Sequence, residues 1–519
     1  MHLNRRRLLQ SSAVALLAST GVAKSAFGQT SESSKDTAFS SASDTLSALR
    51  SSEISSRELT RLCLDRIYST AENVNAVISL RAEAALAEAR RVDAARTAGE
   101  SLGPLAGLPV TVKESFAVKG LPTVWGNPGF PSAPSVGDSA VAERLSAAGA
   151  IILGKTNTST MLANWDSENP VYGRTSNPWN LDRVPGGSSG GAAAALASGL
   201  SFLDIGSDLG GSIRQPAANC GVYGHKPTAG IVPQRGHIPT GAPPVMQVAM
   251  PQMASISELP VSGPIARSAN DLKIALDVIG GPDGAASAAL SYQTPAARHT
   301  QLNAFRVGYA ISHPDAEPDA ATMGVLTELV ESLNGRVARL VKGWPAGVDP
   351  RRQRDLRHYF RATIGTMMTS PEDANEIIDQ SKEDGPAWDV GDYHGAYNQG
   401  FSDRRSDFVT KEIERLQLRQ AWQDYFSEFD VFLMPVQTRT AREHGGLTDE
   451  EAFASHLWFA AATVTGLPAT TAPAGVGSDG LPVGVQILGP HYEDATSIAF
   501  AEALAREGIG GFQTPPMFL

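Results

Sequence analysis

The sequence predicts an α/β fold. Three observations lead there. Short apolar runs with β-branched residues, such as Pro109–Lys113 and Ala150–Lys155, alternate with helical stretches. The chain of 519 residues can bury a large core, in one large α/β domain or in two or more. Its 42% hydrophobic and 19% charged residues are the balance of a globular protein. The formal charge of −11 offers a nucleic acid no electrostatic footprint. Cys63 and Cys220 form neither a disulfide framework nor a Cys-x-x-Cys pair.

Residues 1–28 read MHLNRRRLLQSSAVALLASTGVAKSAFG, a basic end, an apolar run and small residues, which is the order of a secretory signal peptide. Arg5-Arg6-x-Leu8-Leu9 fits the twin-arginine pattern, so the expectation is export from a bacterial cytoplasm to the periplasm or beyond. The apolar run is shorter than the ~20 residues that span a bilayer, so no stable membrane insertion is expected after export. Cleavage before Gln29 would remove four cations and no acid, taking the formal charge from −11 to −15. Residues 29–44 are Ser-rich and polar and read as a flexible link.

The apolar spacing of Leu46, Leu49, Leu59, Leu62 and Ile67 predicts helix through Thr45–Ile78, and Arg81–Ala98 reads as an Ala-rich, charged helix. Pro109–Lys113 is a half-buried strand ending in a charge; Ala140–Ala148 is a helix and Ala150–Lys155 a strand. Ala192–Ala197 is a strong helix former that Gly199 can stop, and Ser201–Gly206 reads as a buried strand before the loop Ser207–Arg214. Leu272–Ile279 is amphipathic, Gly280–Pro295 is turn-rich, and Phe305–Tyr309 restarts an element. Residues 316–428 are helix-rich; Phe429–Pro435 and Leu481–Leu488 are late strands and Asp494–Arg506 a late helix.

The stretch PGGSSGG, Pro185–Gly191, is the densest chemical signal. It lacks the lysine of a phosphate-binding Walker loop, and no strand leads into it as a dinucleotide fingerprint requires. Gly186-x-Ser188-x-Gly190 matches the nucleophile elbow of α/β-hydrolases, but nothing local selects the later acid and histidine, for which Asp430 and His456 are available. The ten histidines show no metal-ligand spacing. A second Ser/Gly loop, Gly210–Ser212, lies one helix and one strand beyond the first, so the two can meet. Glycines let successive N–H groups converge on an oxyanion, and a buried lysine such as Lys113 can serve as a base. Spacing alone favours a Gly-rich packing turn and a lysine reaching solvent.

The run Gly186–Arg214, GGSSGGAAAALASGLSFLDIGSDLGGSIR, resembles the signature of the amidase signature family, Ser-Ser-Lys amide hydrolases. Lys113 in Val112-Lys-Glu114, Gly173-x-Thr175-x-Asn177-Pro178, Gly224-x-Lys226-Pro227-Thr228, Gly466-Leu467-Pro468 and Pro482–Gly489 follow the family's order over about residues 50–510. The resemblance implies one large domain over 45–510, a central mixed, twisted sheet covered by helices on both faces, with 316–460 a helix-rich substrate-side insertion and 511–519 a tail. It implies Ser212 as nucleophile, Ser188 as the bridging serine after a cis peptide bond at Gly187, and Lys113 as base. It places an oxyanion hole at the N–H groups of Leu209, Gly210, Gly211 and Ser212, and gives Ser189, Asp208 and Arg214 the holding of the loops. Glu114 departs from the usual aspartate and bears on that support. Cys220 is expected to be a small buried residue. No cofactor and no metal are implied.

The activity implied is hydrolysis of a small-molecule or peptide amide, with a lean to a peptide amide or a bulky hydrophobic amide. Aryl acylamide, cyclic amide or ester hydrolysis by the same serine, and a noncatalytic binding protein that kept the fold, are the alternatives. Pro239–Ser257 and 316–460 are the segments expected to shape the pocket, with Trp125, Trp165, Tyr172 and Phe459 as candidate wall residues. The sequence carries no signal for oligomeric state.

Overall fold

β-Branched and apolar residues build thirteen strands among the described residues: β1 (Val77–Leu80), β2 (Pro109–Lys113), β3 (Ile151–Thr156), β4 (Glu168–Asn169), β5 (Gly173–Arg174), β6 (Leu203–Asp208), β7 (Tyr223–Lys226), β8 (Val261–Ala266), β9 (Arg306–Tyr309), β10 (Arg339–Lys342), β11 (Val431–Pro435), β12 (Ala469–Val476) and β13 (Pro482–Leu488). The computed structural model describes residues 37–242, 244–249, 258–368, 375–376, 378–379 and 393–519. The leader expected over 1–28 lies outside the described residues, as do parts of Pro239–Ser257 and of 369–392.

Eleven strands form one twisted, mixed sheet in the order β1-β3-β2-β6-β8-β7-β12-β13-β11-β9-β10, while β4 and β5 pair apart from it. β2 runs parallel to both β3 and β6, with Thr111 opposite Asp204 and Val112 opposite Ile205. β6 is antiparallel to β8, and β12 to β7 and β13. Helices cover both faces, as a mixed sheet with buried central strands demands. Every residue of β2, β3, β6, β7 and β8 is buried.

The helix Gly190–Ala197, expected from its alanines, is wholly buried, and Gly199 follows it with φ +65°, the left-handed conformation that ends a helix cheaply. A Cβ at Gly191 would collide with the backbone of Asn157, so this helix lies directly on the chain leaving β3.

Several elements differ from the sequence reading. The helical pattern over Thr45–Ile78, with a start expected near Glu58, is two helices, Ala42–Arg50 and Ser56–Thr70, the second capped by Ser55 with Glu58 reaching back to its N–H; Ile78 belongs instead to β1. The link expected over 29–44 is already packed at its end: Asp271 accepts the N–H groups of Ala42 and Ser43 at 2.8 Å each, and Ala38 and Ala42 are buried. The tail expected from 511 packs back, with Phe512 and Phe518 against Phe39. Residues 316–460 are not one insertion, because β10 and β11 within them belong to the central sheet. β8 and β12 escape the sequence pattern because each carries a proline, Pro264 and Pro473, and β12 is bulged between Pro473 and Gly475.

Candidate active site

The parallel register of β2 and β6 brings the end of one strand, Lys113, beside the end of the other, Ser207-Asp208. Lys113 is completely buried, and its Nζ donates to Ser188 Oγ at 2.6 Å and to Ser207 Oγ at 3.0 Å. Burial lowers its pKa from the ordinary 10.5 to about 7, against the opposing charges of Asp208, Asp204 and Glu114.

Ser188 sits after a cis Gly187–Ser188 peptide bond, the geometry expected for it. Gly187 N–H donates to Gln215 Oε1 at 3.0 Å, and Thr158 Oγ1 donates to the Ser188 carbonyl at 2.8 Å. Ser189 joins the two glycine-rich loops: its N–H donates to the Ser212 carbonyl at 3.2 Å and its Oγ to the Ser207 carbonyl at 3.3 Å. Ser212 lines the same cavity as Ser188, yet no hydrogen bond joins their hydroxyls among the described residues. Such a link can tighten when substrate binds.

Asp208 and Arg214 form a buried fork, with Nη2 to Oδ1 at 2.8 Å and Nε to Oδ2 at 3.0 Å. Burial alone would raise the Asp208 carboxyl, but the Arg214 charge and hydrogen bonds hold it well below the carboxylate range. Arg214 also reaches Thr463 Oγ1 at 3.0 Å and Gln486 Oε1 at 2.6 Å, tying the loop to the helix Asp449–Thr465 and to β13. Asp208 Oδ1 takes the Gly211 N–H at 2.9 Å. The Gly211 N–H of the expected hole is thus engaged, whereas no hydrogen bond from the N–H groups of Leu209, Gly210 or Ser212 is seen among the described residues.

Glu114 does not touch the lysine. It accepts the N–H groups of Val124 at 2.6 Å and Trp125 at 2.9 Å, fixing Trp125 in a left-handed turn. Burial raises its carboxyl, with Lys155 opposing.

Ser188, Ser207 and Ser212 open on a cavity of about 490 Å³. One wall is apolar, with Trp125, Met161, Leu162 and Ile364; another carries Arg357 and Arg361 from the helix Pro350–Met368. Trp165 also lines it and donates its indole N–H to the Gly210 carbonyl at 3.1 Å. The other two aromatic candidates lie behind the wall. Phe459 is fully buried beneath Gly211 and Arg214, and the Tyr172 hydroxyl approaches Glu114 Oε1 at 3.4 Å. Asp430 of the elbow alternative pairs with Arg306 instead, at 2.6 Å. Cys220 is buried and its thiol pushed up by burial, with Sγ donating to the Pro185 carbonyl at 3.4 Å.

Sequence reasoning missed Ser207, His237, Arg357 and Arg361. Ser207 adjoins the quoted loop, and its place at a strand end next to Asp208 was the available signal; the other three reach the cavity only through tertiary packing. Among the described residues no cluster of three His, Cys, Asp or Glu could hold a metal. No described helix is long and apolar enough to cross a membrane.

A buried, neutral-leaning lysine on a serine, below a glycine-rich loop, defines a serine hydrolase that acts on carbon–nitrogen bonds. The chain belongs to the Amidase family, whose pattern matches residues 58–498, and within it to the amidase signature enzymes. It is similar to a Glutamyl-tRNA(Gln) amidotransferase component of Chromohalobacter salexigens, 32% identical over 475 residues, 87% of this chain and 93% of that protein. A solved structure from work on the evolutionary origins of an s-triazine catabolic enzyme is 27% identical, with TM-score 0.72, covering 91% of this chain and 100% of that one. A bacterial aryl acylamidase of the amidase signature family is 23% identical, with TM-score 0.72 over 90% of this chain and 96% of its own, and shows the likeness of fold.

Proposed function

We propose that this protein hydrolyses carboxylic amides through an acyl intermediate on Ser212. The observation that carries the reading is the 2.6 Å contact of Lys113 Nζ with Ser188 Oγ in a fully buried setting. Neutral Lys113 takes the proton of Ser188 while Ser188 takes that of Ser212, so the attacking oxygen gains charge as it meets the carbonyl carbon. The N–H groups of Leu209, Gly210 and Ser212 receive the developing oxyanion. Running the relay backward hands the leaving amine its proton, and water then attacks the ester to release the acid.

The apolar wall of Trp125, Met161, Leu162 and Ile364 favours a peptide amide or a bulky hydrophobic amide, and Arg357 and Arg361 favour a polar or anionic far end. The charge of −11 speaks against a transfer-RNA partner, and so for hydrolysis over amidotransfer. We place the mature protein in the periplasm or outside the cell, on the strength of Arg5-Arg6 and the apolar run after them.

A panel of peptide amides, anilides, fatty amides, cyclic dimers and short aliphatic amides, read by released amine with Ser212→Ala as blank, tests the reading. Turnover of at least one class by the native protein alone is expected; equal release by the variant overturns it.

A further inference from the structure

His237 lines the catalytic cavity together with Ser188, Ser212 and Trp125. It is 3% exposed, and neither ring nitrogen has a hydrogen-bond partner among the described residues. Buried polar groups are almost always paired, and two unmet nitrogens on one ring call for an explanation. The ring is fixed in place. Phe116 flanks it at 4.7 Å and Trp125 at 5.3 Å between centroids, and its backbone N–H donates to the Gln234 carbonyl at 3.0 Å. Burial lowers its pKa to about 3, so it is a neutral ring with one donor and one acceptor.

We propose that His237 is a specificity-determining residue that hydrogen-bonds a second amide group of the substrate, as found in a peptide amide or an N-acylated amino acid amide. A secondary amide carries one N–H and one carbonyl, and either can meet one nitrogen of a neutral imidazole, the N–H the bare nitrogen or the carbonyl the protonated one. The apolar wall around Trp125 takes the side chain beside it. A plain fatty or aryl amide has no such second group to offer either nitrogen. The inference rests on the amidase reading and refines it, because a site built to hydrogen-bond a substrate group discriminates against analogues that lack it.

The test compares N-acetylphenylalaninamide with 3-phenylpropanamide, which keeps the scissile amide and the ring but lacks the acetamido group. His237→Phe retains an aromatic ring between Phe116 and Trp125 and removes both nitrogens; His237→Gln restores an uncharged donor and acceptor. The expected result is a loss of about tenfold in kcat/KM for His237→Phe on the acetylated amide, carried mainly by KM, with a change under about twofold on the plain amide and recovery by His237→Gln. Equal losses on both amides, or no loss on either, in variants that melt like the native protein, overturn the proposal. Absence of ammonia release by the native protein from both amides, while another class of the panel is turned over, overturns the proposal alone; absence of turnover across the whole panel overturns the amidase reading with it.

Discussion

At Lys113 burial and charge oppose each other, and burial prevails. Three carboxylates favour its ammonium form, yet its pKa falls to about 7. The base is neutral above that pH and protonated below it, so kcat/KM is expected to rise with pH through a limb near 7 and to be lost on the acid side. Asp204 faces it across the strands, fully buried, with Oδ2 accepting from Thr111 at 2.6 Å and Thr156 at 3.0 Å. Burial raises the Asp204 carboxyl itself to about 7, so it is part ionised over the limb; Asp204→Asn removes that charge, lowers the lysine further and should move the limb to lower pH, and a pH profile that shifts upward contradicts this. Lys113→Ala should lower kcat by about 10² to 10⁴, while Glu114→Asp, which touches Trp125 and not the lysine, should cost far less; equal losses overturn the base assignment. Lys113, Ser188 and Ser212 were legible because their neighbours resemble a known pattern. His237 was not, since it reaches the cavity only by pairing across to Phe116, a contact between residues far apart in sequence.

Among the elements, the helix Gly190–Ala197 and the Arg214 fork decide whether the loops stay in register. The alanines announced the helix, but its close approach to Asn157 depends on the order of strands, which local propensity does not encode. Gly191→Ala must push a methyl into that backbone, with an expected cost of about 1–3 kcal/mol. Arg214→Ala strands the buried Asp208 carboxylate and should cost about 3–5 kcal/mol. Denaturant unfolding of both variants reads these losses, and a midpoint for Arg214→Ala equal to that of the native protein would contradict the structural weight given to the fork. β8 and β12 show the limit from the other side: Pro264 and Pro473 argue locally against strands, and tertiary pairing overrides them.

Over the whole of the described residues, eleven strands form one sheet, and the first described segment meets the last, with Phe39 against Phe512 and Phe518, while the Ala42 helix start rests on Asp271. The alternating pattern announced an α/β fold, whereas the joining of 306–342 and 431–435 to the same sheet follows from long-range pairing that periodicity cannot show. A chain beginning at Gln29 keeps every buried residue described from Ala38 onward; one beginning at Glu53 loses Leu46 and Leu49 from the core and should melt lower than it. Equal melting of the two would contradict the packing of the first helix. The central claim, that Ser212 is the nucleophile, is tested most directly by locating a fluorophosphonate adduct by mass spectrometry of the native protein. The account expects the adduct on Ser212 and none in Ser212→Ala; an adduct on Ser188, or labelling that survives in Ser212→Ala, would contradict it.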